Sequence, residues 1–194
     1  MIKKILIILI VFILILLPLF TILLLNHLIF SYLYDKLDLK DYNNIEKKDY
    51  LNKVSQIVWY FFNNKPFLEM QELSYIEKIH MKDVKTLICF ALFVFILSIM
   101  GILIFKKQVD KLIMKQASFI ALAIVALILT FSLTNFDSAF IIFHKILFRN
   151  SFWLLDPSTL LIRLFPESVF MNLAYVWFGS IIILSILIIF LVSM

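Results

Sequence analysis

The sequence predicts an all-α integral membrane protein, with four transmembrane helices and shorter amphipathic helices lying at the interface in two outer loops. Three observations carry this. Of the 194 residues, 63% are hydrophobic, against roughly 45–50% in soluble domains. Four apolar runs reach the roughly 17–25 residues that a spanning helix needs. The N-terminal flank and the short middle link carry lysines almost without acidic residues, which orients the runs. The chain, 1–194, is expected to form a single membrane domain.

The first span, residues 5–30, follows Lys3 and Lys4. It is longer than a signal-peptide core and lacks a small-x-small cleavage site, so it reads as a retained anchor. The first outer loop covers residues 32–85 and carries both signs of charge. Within it, KKDYLNKVSQIVWYFFN (47–63) places Leu51, Val54, Val58 and Phe61 on one helical stripe. Asn63, Asn64 and Pro66 end that helix. Ser74, with Glu77 three residues on, forms a capping box. No breaker follows before Lys106, so the capped helix is expected to run straight into the second span, 86–105. His80 then lies about 9 Å ahead of the span at 1.5 Å per residue, level with phospholipid headgroups. Glu77 and Asp83 sit one turn to either side of it, placed to hold or charge the ring.

The third span is 117–134. The short link before it carries Lys106, Lys107, Lys111 and Lys115 against only Asp110. With Lys3 and Lys4, these mark the cytoplasmic side, so both termini are expected inside and both long loops outside. All seven tyrosines and Trp59, Trp153 and Trp177 fall in or next to the outer loops, where amphipathic rings favour the headgroup level. In the second outer loop, 135–171, Asp137 or Ser138 is expected to cap a helix over 139–149. That helix would share Phe136, Phe140, Phe143 and Leu147 on one face and turn His144 and Lys145 to another. Asp156-Pro157 reads as the cap and first residue of a further short helix. Pro166-Glu167 restarts the chain before the fourth span, 172–192.

The chemistry is narrowed by what is scarce. Two glycines leave no Gly-rich phosphate loop and no Gly-flanked nucleophile elbow. Cys89 is the only cysteine, which excludes an internal disulfide and a Cys-based zinc site. Its neighbours Leu87, Ile88 and Phe90 are apolar, so it is expected to pack rather than react. Glu77-x-x-His80 is half of a carboxylate bundle motif, but Ile141 stands where His144 would need its glutamate, so no metal is expected. The net charge of +5 is not clustered on a soluble face, so no nucleic-acid partner is expected. His27 reads as interfacial. His80 and His144 lie in separate outer loops at one membrane depth, which suits a shared general acid–base site.

HMKDVK (80–85), FHKILFRN…W…DP…FPE (143–167), YNN (42–44) and IVWYFFN (57–63) together resemble the lipoprotein intramolecular acyltransferases of Gram-positive bacteria, small four-span membrane proteins. The resemblance runs along essentially the whole chain. One departure stands out: the family pattern has a second acidic residue shortly after the Asp-Pro, and Ser158-Thr159-Leu160 supplies none. The resemblance implies a plasma-membrane enzyme that needs no cofactor. Its substrates would be diacylated bacterial lipoproteins, met among membrane phospholipids. The sn-2 acyl chain of the diacylglyceryl-cysteine would move to that cysteine's α-amine, giving the lyso form, with no covalent acyl-enzyme. His80 and His144 match the family's histidines. Asp83, Asp137, Arg149, Asn150, Trp153, Asp156 and Glu167 are the expected supporting residues, although helix capping explains Asp156 and Glu167 equally well. Two other readings remain at this stage. One is a non-enzymatic envelope scaffold; the other is an acyltransferase or esterase acting on free phospholipid.

Overall fold

The computed structural model describes residues 1–194 and is helical throughout. The helices are α1 (Ile2–Leu24), α2 (Asn26–Lys36), α3 (Leu39–Asn43), α4 (Lys47–Phe62), α5 (Tyr75–Ile104), α6 (Lys111–Thr134), α7 (Phe136–Leu147), α8 (Leu160–Leu164) and α9 (Glu167–Ser193). Four of them, α1, α5, α6 and α9, are long and apolar enough to cross a membrane.

The chain divides into two compact units. The first comprises Met1–Thr21, Phe90–Ala139 and Tyr175–Met194. Trp177 Nε1 donates to the Ile15 carbonyl at 2.8 Å, joining α9 to α1. The rings of Phe20 and Phe95, 5.3 Å apart, join α1 to α5. At Gly101 the approach is so close that a Cβ would lie 2.6 Å from Leu9 Cδ1. Asp110 caps α6 by accepting the Ile113 N–H at 2.8 Å, and its other oxygen takes Lys3 at 3.1 Å. Large apolar side chains such as Leu127 and Ile183 are exposed on this unit, as suits helices surrounded by lipid.

The second unit comprises Ile22–Cys89 and Phe140–Ala174. The α4 stripe forms its core: Leu51, Val54, Val58 and Phe61 are all buried, as their spacing predicts. They pack in one cluster with Phe30, Leu33 and Tyr34 of α2 and Leu161 and Leu164 of α8. The capping box is formed. Ser74 Oγ accepts the Glu77 N–H at 3.3 Å and Glu77 Oε2 accepts the Ser74 N–H at 2.8 Å. From there α5 runs unbroken from Tyr75 to Ile104.

The structure departs from the sequence reading in four places. The run 5–30 is not one helix: Leu25 leaves helical geometry at φ −91°, ψ 20°. Asn26 Nδ2 donates to the Leu23 carbonyl at 2.8 Å there, a local bond that competes with the helical ladder. Helix α3 is additional. It is bracketed by Asp38 at φ 46° and Asn44 at φ 54°, side chains that tolerate left-handed backbone. Helix α7 starts at Phe136, three residues early, because Asn135 Oδ1 accepts the Ser138 N–H at 2.9 Å. Asn135 is therefore the cap, not Asp137 or Ser138. Asp156-Pro157 does not open a helix. Asp156 Oδ1 accepts from Ser158 N at 2.8 Å and Ser158 Oγ at 2.6 Å, closing an Asx turn, and α8 begins only after Thr159.

Candidate active site

His80 belongs to the polar leading turns of α5, with Glu77, Lys78, Lys82, Asp83 and Lys85, ahead of the apolar run that begins near Thr86. His144 belongs to the last turn of α7. Both lie in the second unit, where their ring centroids are 6.3 Å apart. The surroundings are aromatic. Phe148 contacts both rings, at 5.1 Å from His80 and 5.7 Å from His144. Trp153 stacks on His144 at 4.9 Å, and the Phe140 ring lies 4.0 Å from the His144 ring, tilted against it. Phe140, His144 and Phe148 step by four residues, so they lie on one side of the α7 track.

Hydrogen bonding fixes the chemistry of His144. Its Nδ1 is 2.8 Å from the Phe140 carbonyl oxygen. A carbonyl only accepts, so Nδ1 carries the proton and the neutral ring keeps a free lone pair on Nε2. His80 differs: its Nδ1 is buried and has no hydrogen-bond partner. Burial lowers the pKa of His80 to about 4; the neighbouring His144 adds to the effect and Asp83 opposes it. Burial also lowers His144, against the hydrogen bond to Phe140, which favours its cation. Both rings are therefore neutral near pH 7, which leaves a lone pair available as a base.

The expected supporting residues separate. Asn150 Nδ2 donates to Asp83 Oδ2 at 2.8 Å, and Asn150 Oδ1 accepts the Phe152 N–H at 3.0 Å. These two side chains tie the leading turns of α5 to the chain after α7. Arg149 is exposed and has no carboxylate within salt-bridge distance. With Ile141, Lys145, Phe148, Asn150 and Trp153 it lines a cavity of ≈ 400 Å³. Phe148 and Trp153 are thus shared between the histidine pair and this cavity. Asp156 is committed to its turn with Ser158, and Glu167 is exposed in the first turn of α9. Asp137 is exposed in the first turn of α7, within the first unit. His27 is exposed on α2. Cys89 is exposed rather than packed, its thiol 3.7 Å from the Phe61 carbonyl.

Four other polar residues have roles that local sequence reasoning did not reach. Glu77 accepts the Leu161 N–H at 2.9 Å in addition to its capping bond. Asn43 and Arg163 exchange side-chain-to-carbonyl bonds at 3.2 and 2.5 Å. Lys85 donates to the Asn63 and Lys65 carbonyls at 2.6 and 2.8 Å and lies over the Tyr60 ring at 4.3 Å. All four fall in or beside the YNN, HMKDVK and FPE blocks. The blocks were the available signal; the partners, mostly distant in sequence, were not.

Residues 4–170 match the family model described as lipoprotein intramolecular transacylase Lit. No match was found among curated protein sequences. The fold is similar to the membrane integral lipoprotein intramolecular transacylase Lit from Bacillus cereus, with a TM-score of 0.87 at 23% identity over 98% of this chain and 92% of that one. Two variants of the same Bacillus cereus protein, with one histidine replaced by arginine or by alanine, are also similar. Their TM-scores are both 0.81, at 22% and 24% identity, over 99% of this chain and 89% and 90% of theirs. With a family match over most of its length and four apolar helices of spanning length, the chain belongs to the lipoprotein intramolecular transacylase family.

Proposed function

We propose that this protein moves the sn-2 acyl chain of a lipoprotein's diacylglyceryl-cysteine to the α-amine of that cysteine, by general acid–base catalysis at His80 and His144. The observation that carries the mechanism is the pair of neutral rings 6.3 Å apart in an aromatic setting. Ester-to-amide conversion is downhill and needs no co-substrate. Donor and acceptor belong to one molecule, so holding them in reactive geometry supplies much of the rate, up to roughly 7–11 kcal/mol of the barrier in well-oriented cases.

The remaining demand is for one proton and one developing negative charge. The amine nitrogen attacks the ester carbonyl carbon, and His144 Nε2 takes the amine proton. Its Nδ1–H, held on the Phe140 carbonyl, stabilises the imidazolium that forms. An N–H of His80 donates to the oxyanion. As the carbon–oxygen bond to glycerol breaks, His144 returns the same proton to the departing oxygen. The amine attacks directly, so no acyl-enzyme forms and Cys89 takes no part. Asp83 and Asn150 hold the ring-bearing segments, Trp153 fixes the plane of His144, and Arg149 faces the lipid or the substrate from the shared cavity.

The protein works as one membrane domain. The Lys3–Asp110 contact puts the N-terminus beside the basic link, which supports a cytoplasmic position for both termini and an active site at the outer face of the plasma membrane. Phospholipids surround the exposed apolar face of α7, where Phe143 and Ile146 are exposed.

Mass spectrometry of a lipoprotein N-terminus, with this protein expressed or absent, tests the reading. Expression should convert the diacyl form to the N-acyl, monoacylglyceryl form. His80→Ala and His144→Ala should each lower conversion by roughly 10²–10⁴-fold at unchanged membrane levels. Full conversion by both variants would overturn the mechanism. A scaffold would leave the lipoprotein unmodified in every case, and an enzyme for free phospholipid would release lysophospholipid instead.

A further inference from the structure

His80 lies between two anchors on one helix. Glu77, one turn before it, accepts the Leu161 N–H through Oε1 at 2.9 Å. Asp83, one turn after it, accepts the Asn150 side-chain N–H at 2.8 Å. Both partners belong to the stretch 148–165 that follows the His144 helix. Residues 77, 80 and 83 step by three along α5, so the ring emerges from the same side of the helix as its two anchors.

Glu77 is the less ordinary of the two. It is 2% exposed, although it is a carboxylate. Each of its oxygens takes one backbone N–H, from Ser74 and from Leu161. Those N–H groups belong to the starts of α5 and α8, where helices leave donors unpaired. A capping box for α5 alone uses one carboxylate oxygen. The second oxygen does nothing for the start of α5; it fastens α5 to a segment 84 residues away.

We infer that Glu77 is a positioning residue for the histidine pair: by capping α5 and α8 with one carboxylate, it fixes the rotation of α5 about its axis so that His80 faces His144. The inference rests on the histidine mechanism above. A side-chain ring stands well off the helix axis, so a rotation of some 20° carries it by about 2 Å. Displacements near 1 Å can already cost about 100-fold in rate. The same clamp keeps His80 partly buried, with its Nδ1 shielded. The charged and titratable groups facing that ring are Asp83 on its own helix and His144 on α7; Asn150, on the far side of Asp83, is neutral.

Glu77→Gln is the test. It keeps the shape and one acceptor oxygen but turns an N–H₂ toward a backbone donor. The expected result is a fall in kcat of at least ~10-fold with little change in KM. Two readouts follow the ring itself. His80 should react faster with diethylpyrocarbonate, followed by peptide mass spectrometry. Its titration midpoint, read by NMR of labelled histidine, should move up from about 4 toward the ordinary value as water reaches the ring. Ser74→Ala is the comparison: it removes only the hydroxyl half of the capping box and should leave turnover and His80 protection as they are. Wild-type turnover with a protected His80 in Glu77→Gln would overturn the inference. So would a Ser74→Ala protein that reproduces the full effect, because Glu77 would then be a helix cap only. Ring reactivity is measured without turnover. If His80→Ala proved active, the catalytic proposal would fall on its own while the positioning of the ring was still decided.

Discussion

At His144 a single carbonyl decides which nitrogen can do chemistry. The Phe140 oxygen holds the Nδ1 proton, so the lone pair lies on Nε2, the nitrogen we propose as the base. Burial then keeps both rings uncharged at a pH where exposed histidines begin to protonate. This has a thermodynamic sign. His80 titrates near 4 when folded and near 6.5 when unfolded. Between those values the unfolded chain binds more protons, so stability falls as pH drops through that window. Melting in detergent should therefore occur at a lower temperature at pH 5 than at pH 7, and histidine NMR at pH 6 should show the His80 ring neutral. A flat melting temperature would contradict the burial of His80. Trp153 gives a second expectation at this scale. Trp153→Leu removes the stack on His144 and should lower kcat by roughly 10-fold or more, while Trp153→Phe, which keeps a flat ring, should recover most of it. Steady-state conversion rates check both. The two histidines were legible in the sequence because polar residues are rare in this chain and each stands in a recognisable block. The double use of Glu77 was not: the capping box was visible at Ser74, but the second bond reaches Leu161, and nothing local marks it.

At the scale of elements, what repeats was legible and what is short was not. The α4 stripe follows helical spacing for about three turns, and all four of its apolar members are buried. The continuous α5 was legible because a cap precedes it and no glycine or proline interrupts it before Gly101. By contrast α3 and α8 have five residues each, too few for a periodic pattern. The break at Leu25 turns on one asparagine side chain within an otherwise apolar run. Core packing makes α8 more than a connector, because Leu164 is fully buried in the second unit. Leu164→Ala should cost about 2–5 kcal/mol, seen as a lower melting temperature, and it should loosen the segment that Glu77 holds. If that variant melted like the wild type, α8 would not be a core element.

At the scale of the whole molecule, four long apolar helices were legible from the apolar runs alone. That residues 80 and 144 could share a site was legible from their common depth; the close approach of their rings was not, because it depends on two loops folding into one unit. Orientation is open to direct measurement. In a Cys89→Ser background, Asn64→Cys should react with a membrane-impermeant maleimide added to intact cells, and Gln108→Cys should react only after permeabilisation; the reverse pattern would invert the topology. In the otherwise native protein, alkylating Cys89 should leave conversion intact, and loss of activity would reopen a covalent route. One further consequence lies in α5. His80 and the apolar turns that follow Thr86 belong to one unbroken helix. On the proposed mechanism, that helix would set the depth of the reaction against the hydrocarbon layer. Bilayers of longer acyl tails should then slow conversion through hydrophobic mismatch, and equal rates in thin and thick bilayers would rule this out.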